Sequence, residues 1–352
     1  MAEARHIAPD RLEAFCATTL QAVQVGPADA GTVARCLVAA NLQGVDTHGV
    51  ARLPTYLRRI AQGAVNAKAR PAVVGGRGAT AVMDAGHALG PVAAHAAMAH
   101  AIGLARSHGV SYVTVRNSSH FSYAAHYAGQ AAQEGLIGLC SSGGEPTVAP
   151  WGGTQAFFTN PPLALAAPTS GDPVVVDLAT SVSSRGSILL AQMLGHRIPA
   201  DWALDRDGQP TTDPSAALLG SVLPLGGAKG YALIVALEIL NSVLAGGAMV
   251  PDVGSQAAQD GQPAGVTHFF IAIDPSSLMP YEQYLARIDK LAADTRAAPA
   301  GDPSRAVRLP GDRRREIAAE RRQHGIPLAP KLVDELIAAA HKYAPAAKEL
   351  LL

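Results

Sequence analysis

The hydrophobic pattern of the chain changes character near Pro71. From Ala8 to Ala61 apolar residues recur at helical spacing, as in Leu12, Phe15, Cys16 and Leu20, with Pro9 and Asp10 marking the first helix start. Asp29 is placed to cap a second helix running through Val33, Leu37 and Leu42. A third covers roughly residues 53–60, where Pro54 fits only the first turn or a kink. Beyond Pro71, residues 79–83 and 111–115 gather β-formers on either side of an alanine-rich helix over about 91–107. Residues 136–140, 163–166, 174–177 and 268–273 also read as short buried strands, with helices over 123–134, 182–194 and 231–245 between them.

Strands mixed with helices indicate an α/β body. The segment 297–310, rich in Ala, Pro, Gly and Asp, reads as a connector, and helix returns over 313–323 and 332–343. The expected organisation is therefore a helical lobe built from residues 1–70 with 305–352, and an α/β cofactor-binding and catalytic domain over 71–304.

Composition narrows the class. With 28 basic and 28 acidic residues the chain has zero formal charge, which argues against a nucleic-acid footprint. The N-terminus has no apolar stretch of the signal-peptide kind, and the most apolar long segment, 231–244, is interrupted by Glu238 and Asn241. Cys16, Cys36 and Cys140 are scattered without paired spacing, so a reducing cytoplasm is the simplest expectation.

Candidate chemistry begins with Gly44-Val45-Asp46-Thr47-His48-Gly49-Val50-Ala51-Arg52-Leu53-Pro54. If His48 and Arg52 share one helical turn, the arginine fork can hold a carboxylate while the histidine moves a proton nearby. That pairing suits reduction of a 2-oxo acid, although a helix-start histidine beside a surface arginine is the commoner origin of such a pair. His120 follows Asn117, Ser118 and Ser119 at a strand end, where ligands collect in α/β folds. Gly226-Gly227-Ala228-Lys229-Gly230 opens a helix in a phosphate-friendly way, equally compatible with a tight turn and a solvated lysine. GxGxxG, P-loop, GxSxG and HExxH patterns are absent, so neither a Rossmann site nor a catalytic metal is expected.

The order of segments resembles the malate/L-lactate dehydrogenase family of non-Rossmann, NAD(P)-dependent oxidoreductases. Besides the His48 segment, the matching stretches are Arg116-Asn117-Ser118-Ser119-His120-Phe121, Ala149-Pro150-Trp151-Gly152-Gly153, Thr159-Asn160-Pro161 and Val176-Asp177-Leu178-Ala179-Thr180-Ser181. Trp202-Ala203-Leu204-Asp205, the segment 223–231 and the segment 268–275 complete the series. The resemblance implies an α/β (α+β) fold with a largely antiparallel, mixed sheet and a homodimer whose active site lies near the interface. It implies NAD or NADP as cofactor, with a small carboxylate as substrate. His48 and His120 would be the catalytic histidines, His48 as proton donor and His120 as a second acid–base or orienting group, or the reverse. Arg52 would bind the substrate carboxylate, with Ser119 and Thr159 bordering the substrate. Asp177, Leu178, Ala179, Thr180, Ser181, Lys229, Pro310 and Gly311 would contact the cofactor. The implied reaction is hydride transfer between nicotinamide and a 2-hydroxy or 2-oxo acid. The alternatives are reduction of a cyclic imino acid such as Δ1-piperideine-2-carboxylate and, more remotely, a non-catalytic metabolite-binding relative. Ser119, Ser122 and the stretch 141–144 depart from the common family pattern, which leaves the substrate open.

Overall fold

A computed structural model describes residues 4–302, 304 and 306–352. Met1 to Glu3 at the predicted leaderless N-terminus, and Pro303 and Arg305 at the predicted connector and lobe boundary, lie outside the described residues. The chain opens with β1 (Arg5–Ile7), α1 (Pro9–Ala22), α2 (Pro27–Leu42) and, after two short 3-10 turns, α3 (Leu53–Ala61). The body contains β2 (Ala72–Gly75), β3 (Thr80–Asp84), α4 (Gly90–His108), β4 (Tyr112–Ser118), α5 (Ala124–Gln133), β5 (Ile137–Ser142), β6 (Pro162–Ala167) and β7 (Val174–Ala179). An excursion follows through α6 (Arg185–Met193), β8 (Ala203–Leu204), α7 (Pro214–Leu219), β9 (Ser221–Val222) and α8 (Ala228–Glu238). The chain then returns through β10 (Val266–Ile273), α9 (Tyr281–Ala297), α10 (Asp312–His324), β11 (Ile326–Leu328) and α11 (Pro330–His341).

Seven strands form one sheet in the order β2-β3-β4-β10-β5-β6-β7. Only β3 and β4 run parallel; the other pairs are antiparallel, so the sheet is mixed and its order is not that of a doubly wound dinucleotide fold. The alanine-rich α4 and α5 pack on it through Ala94, Ala97, Met98, Ala101, Tyr127 and Ala128, all fully buried. Small side chains let these helices approach the strands closely. A Cβ at Gly138 of β5 would lie 2.4 Å from the Ala128 carbonyl oxygen.

The two ends of the chain meet. β1 pairs antiparallel with β11, and a second core joins Leu12, Phe15 and Leu20 of α1 with Leu37 of α2, Leu53 of α3 and Leu336 of α11. A third, smaller cluster around Val148, Ile188, Val222 and Ile234 holds the excursion together. Among the described residues no helix is long and apolar enough to cross a membrane.

Several boundaries differ from the sequence reading for local reasons. α2 begins at Pro27 with Gly26 as its cap; Asp29 lies in the first turn and pairs with Arg70 at 2.8 Å. α6 starts only at Arg185, because Ser184 caps it by accepting the Ser187 N–H. α8 ends at Glu238 and widens into a π-helical stretch, Ile239–Val243. The wider turn seats buried Asn241 on Ser141 Oγ at 2.9 Å and Ser242 on Thr267 Oγ1 at 2.9 Å, polar anchors that periodicity alone does not reveal.

Candidate active site

The segment carrying His48 and Arg52 is not the single helical turn the spacing suggests. It forms two successive 3-10 turns, Asp46–His48 and Val50–Arg52, hinged at Gly49. The cause is Asn41, fully buried on α2. Its Oδ1 accepts the Val50 N–H at 2.8 Å, and its Nδ2 donates to Asp46 Oδ1 at 2.7 Å. A Cβ at position 49 would lie 2.0 Å from that same Oδ1, so only glycine fits. Arg321 of α10 then grips Asp46 at 2.6 and 3.1 Å. A C-terminal helix thus clamps the N-terminal turn.

His120 lies just past the end of β4. Its Nδ1 accepts the Ser122 N–H at 3.3 Å, which places the ring proton of the neutral form on Nε2. Tyr56 Oη lies 3.0 Å from the same Nδ1 and 3.2 Å from the His120 carbonyl. The Ser122 hydroxyl donates to the His48 carbonyl at 2.6 Å, and the two imidazoles stack with centroids 5.7 Å apart. Arg52 Nε donates to the Thr47 carbonyl at 2.8 Å, and among the described residues its guanidinium forms no ion pair.

Burial, then the charges of Arg52 and Arg314, lowers His48 to about 4. Burial, then Arg52, His48 and His268, holds His120 well below the ordinary histidine range. Both rings are therefore neutral near pH 7. Behind them His268 is fully buried, stacked 4.8 Å from Phe121 and bracketed by Ser142 Oγ at 2.9 Å and Ser118 Oγ at 2.8 Å.

His48, Arg52, His120 and Thr159 line one cleft of about 970 Å³, its open mouth included. Ser119 does not line it. Its buried hydroxyl accepts the Gly90 N–H at 2.8 Å and donates to the Ala88 carbonyl at 3.1 Å, which fixes the start of α4. The remaining predicted residues gather along the β7 edge. Asp177 is held by Arg314 at 2.5 Å, and Arg314 also donates to Tyr123 Oη at 3.1 Å. Burial raises the Asp177 carboxyl against the opposing pull of Arg314. Leu178 and exposed Ala179 finish β7. Thr180 donates to the Pro161 carbonyl at 3.0 Å, and the Ser181 N–H donates to Asn160 Oδ1 at 2.9 Å.

The Leu225 N–H donates to the Thr180 carbonyl at 2.8 Å, and Ser181 bridges Pro224, so the loop after β7 and the glycine turn before α8 lie side by side. Gly226 and Gly227 both have positive φ, 61° and 65°, and exposed Lys229 stands in the first turn of α8. A Cβ at Gly226 would meet nothing within 4 Å, leaving open space before a helix whose first amides have no partners within it. That cradle fits a phosphate anion. Gly311, at φ 93°, abuts the Val175 backbone of β7 with Pro310 before it. Lys229, Pro310 and Gly311 do not line the histidine cleft.

Sequence reasoning did not find Glu145, Arg185 and Gly186, which also line the cleft. Ser183 and Ser184 ahead of an apolar run were the one available signal for the helix start that brings Arg185 there.

The family model described as malate/L-lactate dehydrogenase matches residues 7–337. A (2R)-3-sulfolactate dehydrogenase (NADP(+)) of Chromohalobacter salexigens is 36% identical over 337 residues, covering 96% of this chain and 98% of that protein. A Delta(1)-pyrroline-2-carboxylate reductase of Ancylobacter novellus is 34% identical over 330 residues, covering 92% and 94%. The solved sulfolactate dehydrogenase of Methanocaldococcus jannaschii superimposes with a TM-score of 0.92 at 30% identity, covering 98% of this chain and 99% of the other. With a mixed sheet, a cleft of two stacked histidines and an arginine, and a match over nearly its whole length, the chain belongs to the malate/L-lactate dehydrogenase family of oxidoreductases.

Proposed function

We propose that the protein moves a hydride between NAD(P) and a small 2-hydroxy or 2-oxo acid, malate- or lactate-like in its reacting end. The observation that carries this reading is Arg52, a guanidinium in no ion pair among the described residues, facing the same cleft as two neutral imidazoles. Arg52 binds and orients the carboxylate through its planar fork. Neutral His48 accepts the hydroxyl proton when the alcohol is oxidised, while His120, its Nδ1 taken by the Ser122 N–H, offers its Nε2–H to the substrate oxygen. In the opposite direction an imidazole must first gain a proton, and carboxylate binding favours this by compensating the Arg52 charge that depresses both rings. When bound, the nicotinamide supplies or takes the hydride. The glycine turn with Lys229, next to Thr180 and Ser181, suits its phosphates, while Asp177 supports the site through Arg314.

A second reading, reduction of a cyclic imino acid, is favoured by the same neutrality. A protonated C=N already carries its proton, so a resting site with two uncharged histidines serves it well. A homodimer is supported by the exposed apolar residues Leu189, Leu190 and Met193 on α6 and Leu194 just after it, at 47–67% exposure, on a helix whose first turn lines the cleft. Residence in the cytoplasm is supported by Cys16, Cys36 and Cys140, all free and buried.

The test is absorbance at 340 nm with NADH and NADPH, each against 2-oxo acids and cyclic imino acids. Turnover of one group should drop about 100-fold in kcat/KM, chiefly through KM, in Arg52→Lys, since a point charge does not reproduce the fork. Unchanged kinetics in that variant would remove Arg52 from the substrate site.

A further inference from the structure

The cleft holds charges of both signs. Besides Arg52 its wall includes Glu145, in the loop after β5, and among the described residues this carboxylate forms no ion pair and accepts no hydrogen bond. Arg59 lies in its field but directs its guanidinium at the carbonyls of Ala258, 3.3 Å away, and Gln262, 2.7 Å away. Thr147 and Gln256 line the same wall, though Thr147 Oγ1 and Gln256 Nε2 are themselves buried. An unpaired carboxylate in the wall of a cleft that also carries a guanidinium in no ion pair offers a place for a cationic group of the ligand.

We propose that the substrate carries a nitrogen cation as well as its carboxylate, and that Glu145 holds the nitrogen while Arg52 holds the carboxylate. This rests on the reading of the cleft as the site where a 2-oxo or imino acid is reduced. A carboxylate so placed attracts an ammonium, guanidinium or iminium group and repels the second anion of oxaloacetate or sulfopyruvate, while Arg185, the other arginine of the wall, turns its guanidinium to the Leu218 carbonyl at 2.7 Å.

The test compares the wild type with Glu145→Gln and Glu145→Lys on pyruvate, oxaloacetate, sulfopyruvate, 5-guanidino-2-oxopentanoate and Δ1-piperideine-2-carboxylate. The ratio of kcat/KM for the favoured nitrogen compound to that for pyruvate should fall at least tenfold in Glu145→Gln. In Glu145→Lys the ratio for oxaloacetate should rise. Loss on the guanidino acid places the cation on the side chain of the substrate; loss on the cyclic imine places it in the ring. The proposal is overturned if the wild type prefers oxaloacetate or sulfopyruvate to both nitrogen compounds, or if both variants change every substrate alike. Turnover of pyruvate with that indifference sinks this inference alone. Inactivity on the whole panel sinks the reductase reading and this inference with it.

Discussion

Replacing Gly49 with alanine would put a methyl group 2.0 Å from Asn41 Oδ1, about 1 Å inside the shortest separation that real Cβ contacts show. Either the Asn41 amide swings away or the Val50–Arg52 turn shifts. Both outcomes break the 2.8 Å bond from the Val50 N–H and loosen the 2.7 Å bond to Asp46. Asn41 and Val50 have no exposed surface, so the freed groups find no water. Each unsatisfied buried group costs roughly 1–3 kcal/mol, and partial relaxation puts the expected loss at about 2–4 kcal/mol. Urea denaturation measures it, and a cycle with Asn41→Ala isolates the cause. Asn41→Ala removes the colliding atom, so Gly49→Ala in that background should cost less than about 1 kcal/mol, a coupling of about 2 kcal/mol. His48 and Arg52 flank the hinge, and a displacement near 1 Å should lower kcat/KM by about 100-fold. Strictly additive costs across the cycle would refute the claim that Asn41 dictates the glycine.

Two further outcomes follow from the buried histidines. His48 at about 4, His126 at about 4 and His268 at about 3 are all depressed by burial, so as pH falls the unfolded chain takes up protons first. Their contribution to stability is full above the unfolded value of 6.5 and is lost as pH falls towards 4 and 3, at about 1.4 kcal/mol per unit of pH for each ring. The urea midpoint should drop clearly between pH 7.5 and pH 5, and a flat profile would contradict the burial of these rings as neutral groups. Replacing the Arg314–Asp177 pair together by Gln and Asn removes one cation acting on His48 without orphaning Asp177, so the acid limb of kcat/KM should move to higher pH. An unmoved limb would show that Arg314 does not tune the site.

Much of the candidate site was legible because its residues sit in short, chemically dense segments. His48, Arg52, His120 and Thr159 stand in one cleft, and the glycine turn beside Lys229 adjoins the loop after β7. What periodicity could not supply was the partner of each polar group. Ser119 and Ser122 read alike in sequence, yet one braces α4 and the other ties the His48 carbonyl. Asp177 looked available to a ligand until its ion pair with Arg314, 137 residues away, came into view. The strand pair β1–β11 and the two-residue strands β8 and β9 were missed because so few residues show no alternation. Glu145 and Arg185 escaped notice because a single charge in a loop carries no pattern at all.

The grip of Arg321 on Asp46 spans 275 residues, and β10 enters the middle of the sheet, between β4 and β5, only after every other strand of that sheet has been made. During synthesis at 5–20 residues per second, the ribosome needs roughly 14–55 s to travel from Asp46 to Arg321. From the completion of β5 until β10 is made, β4 and β5 each expose an unpaired edge, and until Arg321 emerges the turn bearing His48 and Arg52 lacks its clamp. A growing chain therefore holds its candidate site unclamped until α10 emerges, and its half-built sheet is open to association with other chains until β10 is made.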